Sequence, residues 1–337
     1  MQKTFSEKLN SRIKQTQSIV CVGLDPRIGE KYCIPNFLLE ESGNDYNAAI
    51  WQFNQRIIDA TFEVASIFKP QIAFYEQYQA LDALHKTIKH IHQKGGLVLL
   101  DAKRNDIGST AAAYAKSVFE VFNADAVTVN GYLGIDGILP FMKYIPEGKG
   151  IFMLIKTSNP SSGDFQDLFS FAQPEISAET LEISDLSSLS STNDSVKLVR
   201  NYVHMARLMK KWSEDPQLTQ LDQPIDTYGF TNIGGVVGAT YPTQLRAIRT
   251  EVPHNILLIP GYGAQGGKAE DIVYGVNDMG LGAIVNASRS IDFAYQMSPY
   301  REKFTVSEFD QAAKAAAEDM RDEIRSALIR SQKWNID

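Results

Sequence analysis

LVLLDAKRNDIGST, residues 97–110, runs from Leu and Val straight into Asp101, Lys103, Arg104 and Asp106. An apolar run without polar alternation reads as a strand buried on both faces, which is the habit of parallel sheets covered by helices. Charges at the end of such a strand are costly to bury unless they compensate one another, so the cluster marks a site. Strand alternation puts Asp101 and Lys103 on one side, with Asp106 just beyond, so two carboxylates bracket one amine. At an intermediate dielectric such a pair attracts by roughly 4 kcal/mol at about 4 Å, which holds Lys103 protonated as a proton donor. The plain alternative is an ion pair that closes a strand.

Outward from this stretch, similar short runs recur: SIVCVGLD (18–25), SIFKPQIAF (66–74), DAVTVN (125–130), IFMLIKTS (151–158), IGGVVGAT (233–240), NILLIPG (255–261) and GAIVNAS (282–288). With residues 97–103 they make eight strands. Amphipathic stretches such as 46–65 and 77–95 lie between them. Eight strand–helix units predict an α/β fold of the (β/α)8 TIM-barrel type, residues 1–337 as a single domain; an open doubly wound sheet is the rival. The unusual residues fall after the strands, where barrels of this kind place function: Asp25, Lys103, Ser158, Gly261 to Gly267 and Arg289. A long insertion, residues 161–195, separates the fifth and sixth strands; it includes ISDLSSLSSTND (183–194), is rich in turn formers, and reads as mobile. VKLVRNYVHMARLMKKW (196–212) then reads as helix, as does 304–334, with Ser307 as its cap.

Composition excludes several classes. The 337 residues are 44% hydrophobic and 22% charged, which suits a globular protein with a sizeable core. A net charge of −7 gives no reason to approach nucleic acid or an anionic membrane. No run approaches the roughly 20 apolar residues of a membrane span. Cys21 and Cys33 form no CxxC pair and are too few for a disulfide framework, so a cytoplasmic location is expected. Of His85, His90 and His92 only the first and last share a helical face, which argues for a solvated surface and against a metal site. HExxH and GxSxG are both missing from the sequence.

Three further motifs bear on chemistry. PGYGAQGG (260–267) supplies backbone amides that can approach a phosphate. Its Gly261, Gly263 and Gly266 also spell GxGxxG, yet the next strand ends in Ser288 and Arg289, where a dinucleotide site would want an acidic residue. An arginine there fits a monophosphate shared with the glycine loop; a surface arginine is the plain alternative. GLDP (23–26) places Asp25 at the end of the first strand and FKPQIAF (68–74) places Lys69 in the second, where with Asp101 they would form a charged ring on sugar hydroxyls; a turn carboxylate and an edge lysine are the plain alternatives. KTSNP offers Ser158, which could equally be a turn residue.

Taken in order, GLDP, FKP, LLDAKRNDIGST, PGYGAQGG and NASRS resemble the orotidine 5′-monophosphate decarboxylase family, with D-x-K-x-x-D-I-x-x-T the most specific part. The resemblance implies decarboxylation of orotidine monophosphate to UMP and CO2, the last step of de novo pyrimidine biosynthesis, with no metal or cofactor. It implies a homodimer with shared sites, in which Lys103 protonates the carbon that loses carboxylate and Asp101 and Asp106 crowd that carboxylate. Asp106 would come from the partner subunit, with Ile107 and Thr110 crossing the interface. Asp25 and Lys69 would bind ribose, Ser158 the pyrimidine, and Gln265 and Arg289 the phosphate. Ser288 stands where the family usually has glycine beside that phosphate. A related magnesium-dependent keto-sugar phosphate decarboxylase shares D-x-K-x-x-D, but a lysine at 69 disfavours a dication. A binding protein without activity would not require the Asp–Lys–Asp cluster.

Overall fold

In the computed structural model, residues 3–171, 198–263 and 266–336 are described. The eight expected runs form eight parallel barrel strands: β1 (Val20–Leu24), β2 (Ile67–Pro70), β3 (Leu99–Arg104), β4 (Ala126–Val129), β5 (Gly150–Lys156), β8 (Ile233–Val237), β9 (Leu257–Pro260) and β10 (Ala283–Ala287). Hydrogen-bonded neighbours run β2-β1-β10-β9-β8-β5-β4-β3. Parallel bridges from Phe68 to Val98 and from Gln71 to Asp101 bring the two ends together, so the sheet closes as a (β/α)8 barrel. Every residue of β1, β2, β4, β8 and β10 is buried, as strands covered on both faces require.

Helices cover the outside. Tyr46–Thr61 is capped by Asp45, whose side chain accepts the N–H groups of Asn47 and Ala48. Its Phe53 stacks on Phe309 of the closing helix Phe309–Arg330, centroids 5.2 Å apart. Thr305 and Glu308 form a capping box one turn before that helix, while the Ser307 hydroxyl meets only Thr305, so the expected cap at Ser307 is replaced by Thr305. The entry helix Phe5–Thr16 begins with a Thr4–Glu7 capping box and sets Phe5 edge-on to Phe152 of β5. The buried apolar side chains form one continuous cluster.

After β5, residues of the stretch 157–166 line a cavity at the C-terminal mouth of the barrel. Of the expected insertion, residues 161–171 are described and residues 172–195 lie outside the described residues. A short helix, Gly163–Gln166, leads to β6 (Phe169–Phe171), which pairs antiparallel with β7 (Leu198–Arg200). Helical structure therefore starts at Asn201, later than the sequence suggests, because residues 198–200 are held extended by that pairing.

Candidate active site

Strand β3 delivers Asp101, and its carboxylate organises everything around it. Its Oδ2 accepts from Lys69 Nζ at 2.8 Å, while Oδ1 accepts from Lys103 Nζ at 2.6 Å and from the Thr128 hydroxyl at 2.8 Å. Burial alone would push the Asp101 carboxyl up; the charges of Lys69 and Lys103 outweigh it and hold Asp101 well below the usual carboxylate range. For Lys69 burial opposes the charge, but Asp101 and Asp25 keep its ammonium above the ordinary lysine value. The side chain of Lys69 is 6% exposed and that of Lys103 45%. One lysine is fixed in the wall and the other reaches open space.

Lys103 arrives there by a distortion. Its φ is +46°, and the β3–β4 register shifts between Leu100 and Arg104. A left-handed non-glycine residue in a strand end is strained and needs surrounding structure to hold it. Thr128 of β4 does so: its hydroxyl oxygen accepts the N–H groups of Ala102 and Lys103, each at 3.0 Å, while donating to Asp101. One donor and two lone pairs are then fully used. Simple alternation along a strand is thus not what puts Asp101 and Lys103 together.

These groups line a cavity of ≈ 620 Å³ at the mouth of the barrel. Of the residues singled out from sequence, the cavity brings together Asp25, Lys69, Asp101, Lys103, Ser158, Ser288 and Arg289. Asp106, Ile107 and Thr110 do not line it. Asp106 Oδ1 accepts the N–H of Ile107 at 2.8 Å, and Ile107 is 53% exposed on the outer rim beside Leu139 and Leu218. Within the described residues Lys103 therefore pairs with Asp101 and not with Asp106. Gln265 lies outside the described residues.

Gly261 and Tyr262 line the cavity too; Gly261, Gly263 and Gly266 all have φ between +65° and +94°, and Gly267 N–H donates to Gly261 O at 3.2 Å. Side chains at those positions would be strained, which explains the glycines without any ligand. Arg289 stands over the Tyr32 ring, 5.5 Å from its centroid. Burial pushes the Asp25 carboxyl up, opposed by Lys69. Asp292, fully buried, accepts the Asp25 N–H at 3.1 Å, and burial together with the Asp25 charge raises it too.

Sequence reasoning overlooked Thr128, Gln71, Asn286 and Asp292. A polar residue within the apolar runs AVTV and AIVNA was the available signal for Thr128 and Asn286. The histidines have ordinary partners: His90 and His92 each bond an aspartate at 2.9 Å, and His85 stacks on Phe122. Among the described residues, no three His, Cys, Asp or Glu side chains converge as a metal site would require, and no helix is long and apolar enough to cross a membrane.

Fold and site together define a (β/α)8-barrel enzyme whose charged Lys–Asp–Lys constellation sits at the C-terminal end of the strands. Residues 18–297 match the Orotidine 5′-phosphate decarboxylase / HUMPS family, and the chain belongs to that family. It is 37% identical to orotidine 5′-phosphate decarboxylase of Rhodopirellula baltica over 338 residues, spanning 96% of this chain and 99% of the relative. The Halobacterium salinarum enzyme of the same name is 40% identical over 86% of this chain and 90% of its own. Among solved structures, Leishmania donovani OMP decarboxylase superposes with a TM-score of 0.67 at 29% identity, covering 97% of this chain and all (100%) of that one.

Proposed function

We propose that this chain decarboxylates orotidine 5′-monophosphate to UMP and CO2 in pyrimidine biosynthesis, with Lys103 as the proton donor and without metal or cofactor. The observation that carries this reading is the Asp101 carboxylate shared by a buried lysine and a half-exposed one. The bond from the pyrimidine C6 to its carboxylate breaks, CO2 departs, and the electron pair left on C6 takes a proton from Lys103 Nζ. The amine then regains a proton from solvent, to which it is open. Asp101, its charge fixed beside the substrate carboxylate, repels the ground state, and that repulsion ends when neutral CO2 forms. The ammonium of Lys103 stabilises the negative charge as it develops.

The donor set supports a metal-free reading, because both oxygens of Asp101 are engaged by ammonium groups and two lysines would repel a dication. Asp25 and Lys69 hold the ribose, Ser158 the pyrimidine, and Arg289 with Gln265 and the glycine loop the phosphate; Ser288 adds a hydroxyl beside Arg289. The exposed positions of Ile107 and Thr110, outside their own cavity, suit a homodimer in which Asp106, Ile107 and Thr110 complete the site of a second copy. The barrel 1–337, with its insertion 161–195, acts as one unit in the cytoplasm, and its net charge of −7 suits neither nucleic acid nor membrane.

The test is the ultraviolet change of orotidine monophosphate on mixing with the protein, with and without EDTA, beside Lys103→Ala. Turnover in EDTA that vanishes in the variant is expected. An inert wild type, or one that works only with added magnesium, overturns the reading.

A further inference from the structure

Two lysines are buried among the described residues, and only Lys69 has a place in the chemistry above. The other, Lys156, ends β5 with no exposed surface and does not line the cavity. Its Nζ donates to Ser162 Oγ and to Asp167 Oδ2, each at 3.0 Å, and lies 4.5 Å from the centroid of the Tyr241 ring. Ser162 and Asp167 belong to the segment that follows β5, and Tyr241 follows β8. A buried ammonium without partners is strongly disfavoured, so the segment is drawn down onto it.

That segment is a wall of the cavity: Thr157, Ser158, Asn159, Ser162, Phe165 and Gln166 all line it. Inside the wall, Gln166 Oε1 accepts the Thr157 N–H at 2.9 Å, its Nε2 donates to Thr157 Oγ1 at 2.8 Å, and Thr157 Oγ1 donates to Asn159 Oδ1 at 2.7 Å. Tyr241 OH bonds Asn159 O at 3.4 Å, tying the wall to the next barrel loop. Each of these bonds is neutral; among the described residues the segment also takes a bond from the Arg200 guanidinium to Asp167 O, but the charge that rises from a barrel strand to hold it is that of Lys156.

We propose that Lys156 is a positioning residue: its buried ammonium clamps residues 157–167 into a prebuilt wall against which the base of the nucleotide docks. The proposal rests on the nucleotide reading of the cavity and deepens it. Lys156 touches no substrate; it removes the cost of ordering the wall when ligand binds. Its effect is therefore confined to the base end of the cavity, and ligands that lack a base do not feel it.

Calorimetric titration with UMP and with ribose 5-phosphate separates the two ends, using wild type, Lys156→Met, Asp167→Asn and the double variant. Asp167 is 34% exposed and asparagine keeps an oxygen for Lys156 Nζ, so Asp167→Asn is the milder change of the two for folding. Either single change is expected to weaken UMP by about 10-fold or more, the size of one lost charge-assisted hydrogen bond, and ribose 5-phosphate by less than about twofold. The double variant binds UMP no worse than Lys156→Met, because both changes open the same contact. Unchanged UMP affinity, equal losses for both ligands, or additive losses in the double variant overturn the proposal. If wild type binds no UMP, the nucleotide reading fails instead. The clamp is then decided by amide exchange over residues 157–167, where faster exchange in Asp167→Asn supports it and unchanged exchange overturns it.

Discussion

Lys69 and Lys103 bind opposite oxygens of one carboxylate, Asp101, at 2.8 and 2.6 Å. The shared partner makes their difference in exposure meaningful. Lys69, enclosed, supplies a permanent positive charge to the wall; Lys103, half open, is the one that reaches the ligand space. Asp101 thereby both holds negative charge next to the ligand space and fixes the approach of the lysine proposed above as the proton donor.

Removing the Asp101 charge should destabilise the fold as well as abolish turnover. Asp101→Asn leaves Lys69 buried with its main counter-charge gone, and breaking a buried pair from one side costs about 3–5 kcal/mol. The pH dependence follows from the two shifts. Lys69 is raised, so its contribution is complete below the ordinary lysine value near 10.4 and is lost only as pH rises through the higher folded value. Asp101 is lowered, so its contribution is present above about 3.9 and is lost as pH falls through the folded value. Urea unfolding should show stability from this pair level between about pH 5 and pH 9, with an acid limb below about pH 4 that Asp101→Asn lacks. A variant as stable as wild type at neutral pH contradicts the ion-pair account.

At Lys103 the backbone and the side chain make separate predictions. Because φ is +46°, glycine fits the site better than alanine. Lys103→Gly and Lys103→Ala should both be inactive, yet the glycine variant should be more stable by about 1 kcal/mol. Equal midpoints in denaturant would show that Thr128 removes the strain entirely.

Much of this architecture was readable beforehand. Uninterrupted apolar runs announce strands buried on both faces, and eight of them with intervening amphipathic stretches favour a closed barrel over an open doubly wound sheet, a choice that the bridges from Phe68 to Val98 and from Gln71 to Asp101 decide. Asp101 and Lys69 were visible because charge is foreign to such runs. What pattern could not give was the φ at Lys103, since a left-handed lysine has no sequence signal, nor Thr128, because threonine is an ordinary β-branched strand residue. Lys156 was passed over beside Ser158, although it too is a charge at the end of an apolar run. Asp292 drew no notice because burial of a carboxylate depends on neighbours 267 residues away, at Asp25.

Thr128 offers a test that leaves every charge in place. Thr128→Val keeps the shape and removes three hydrogen bonds, leaving the N–H groups of Ala102 and Lys103 without their acceptor. A loss of about 1–3 kcal/mol in stability is expected. Steady-state kinetics should show kcat falling more than KM rises, since the residues proposed for ribose and phosphate are untouched while Lys103 loses its fixed approach. A rise in KM at constant kcat would mean that Thr128 serves binding and not the placement of the lysine.

Gly23 and Ser288 predict a compensating pair. They face each other across β1 and the end of β10, so close that a Cβ on Gly23 would lie 1.9 Å from Ser288 Oγ and 2.6 Å from its Cβ. Gly23→Ala must therefore push apart the strands that carry Asp25 and Arg289, and overpacking of this kind costs about 1–3 kcal/mol. Replacing Ser288 by glycine removes both contacts and leaves the Cα of residue 288 at 3.0 Å, tight but open to a small shift. Thermal unfolding should thus show a marked loss for Gly23→Ala, little change for Ser288→Gly, and partial recovery in the double variant. KM for the nucleotide should move in parallel, because the same displacement separates Asp25 from Arg289, the residues proposed above for ribose and phosphate. Strictly additive changes in the double variant would disprove the steric account and leave the serine explained by its hydroxyl alone.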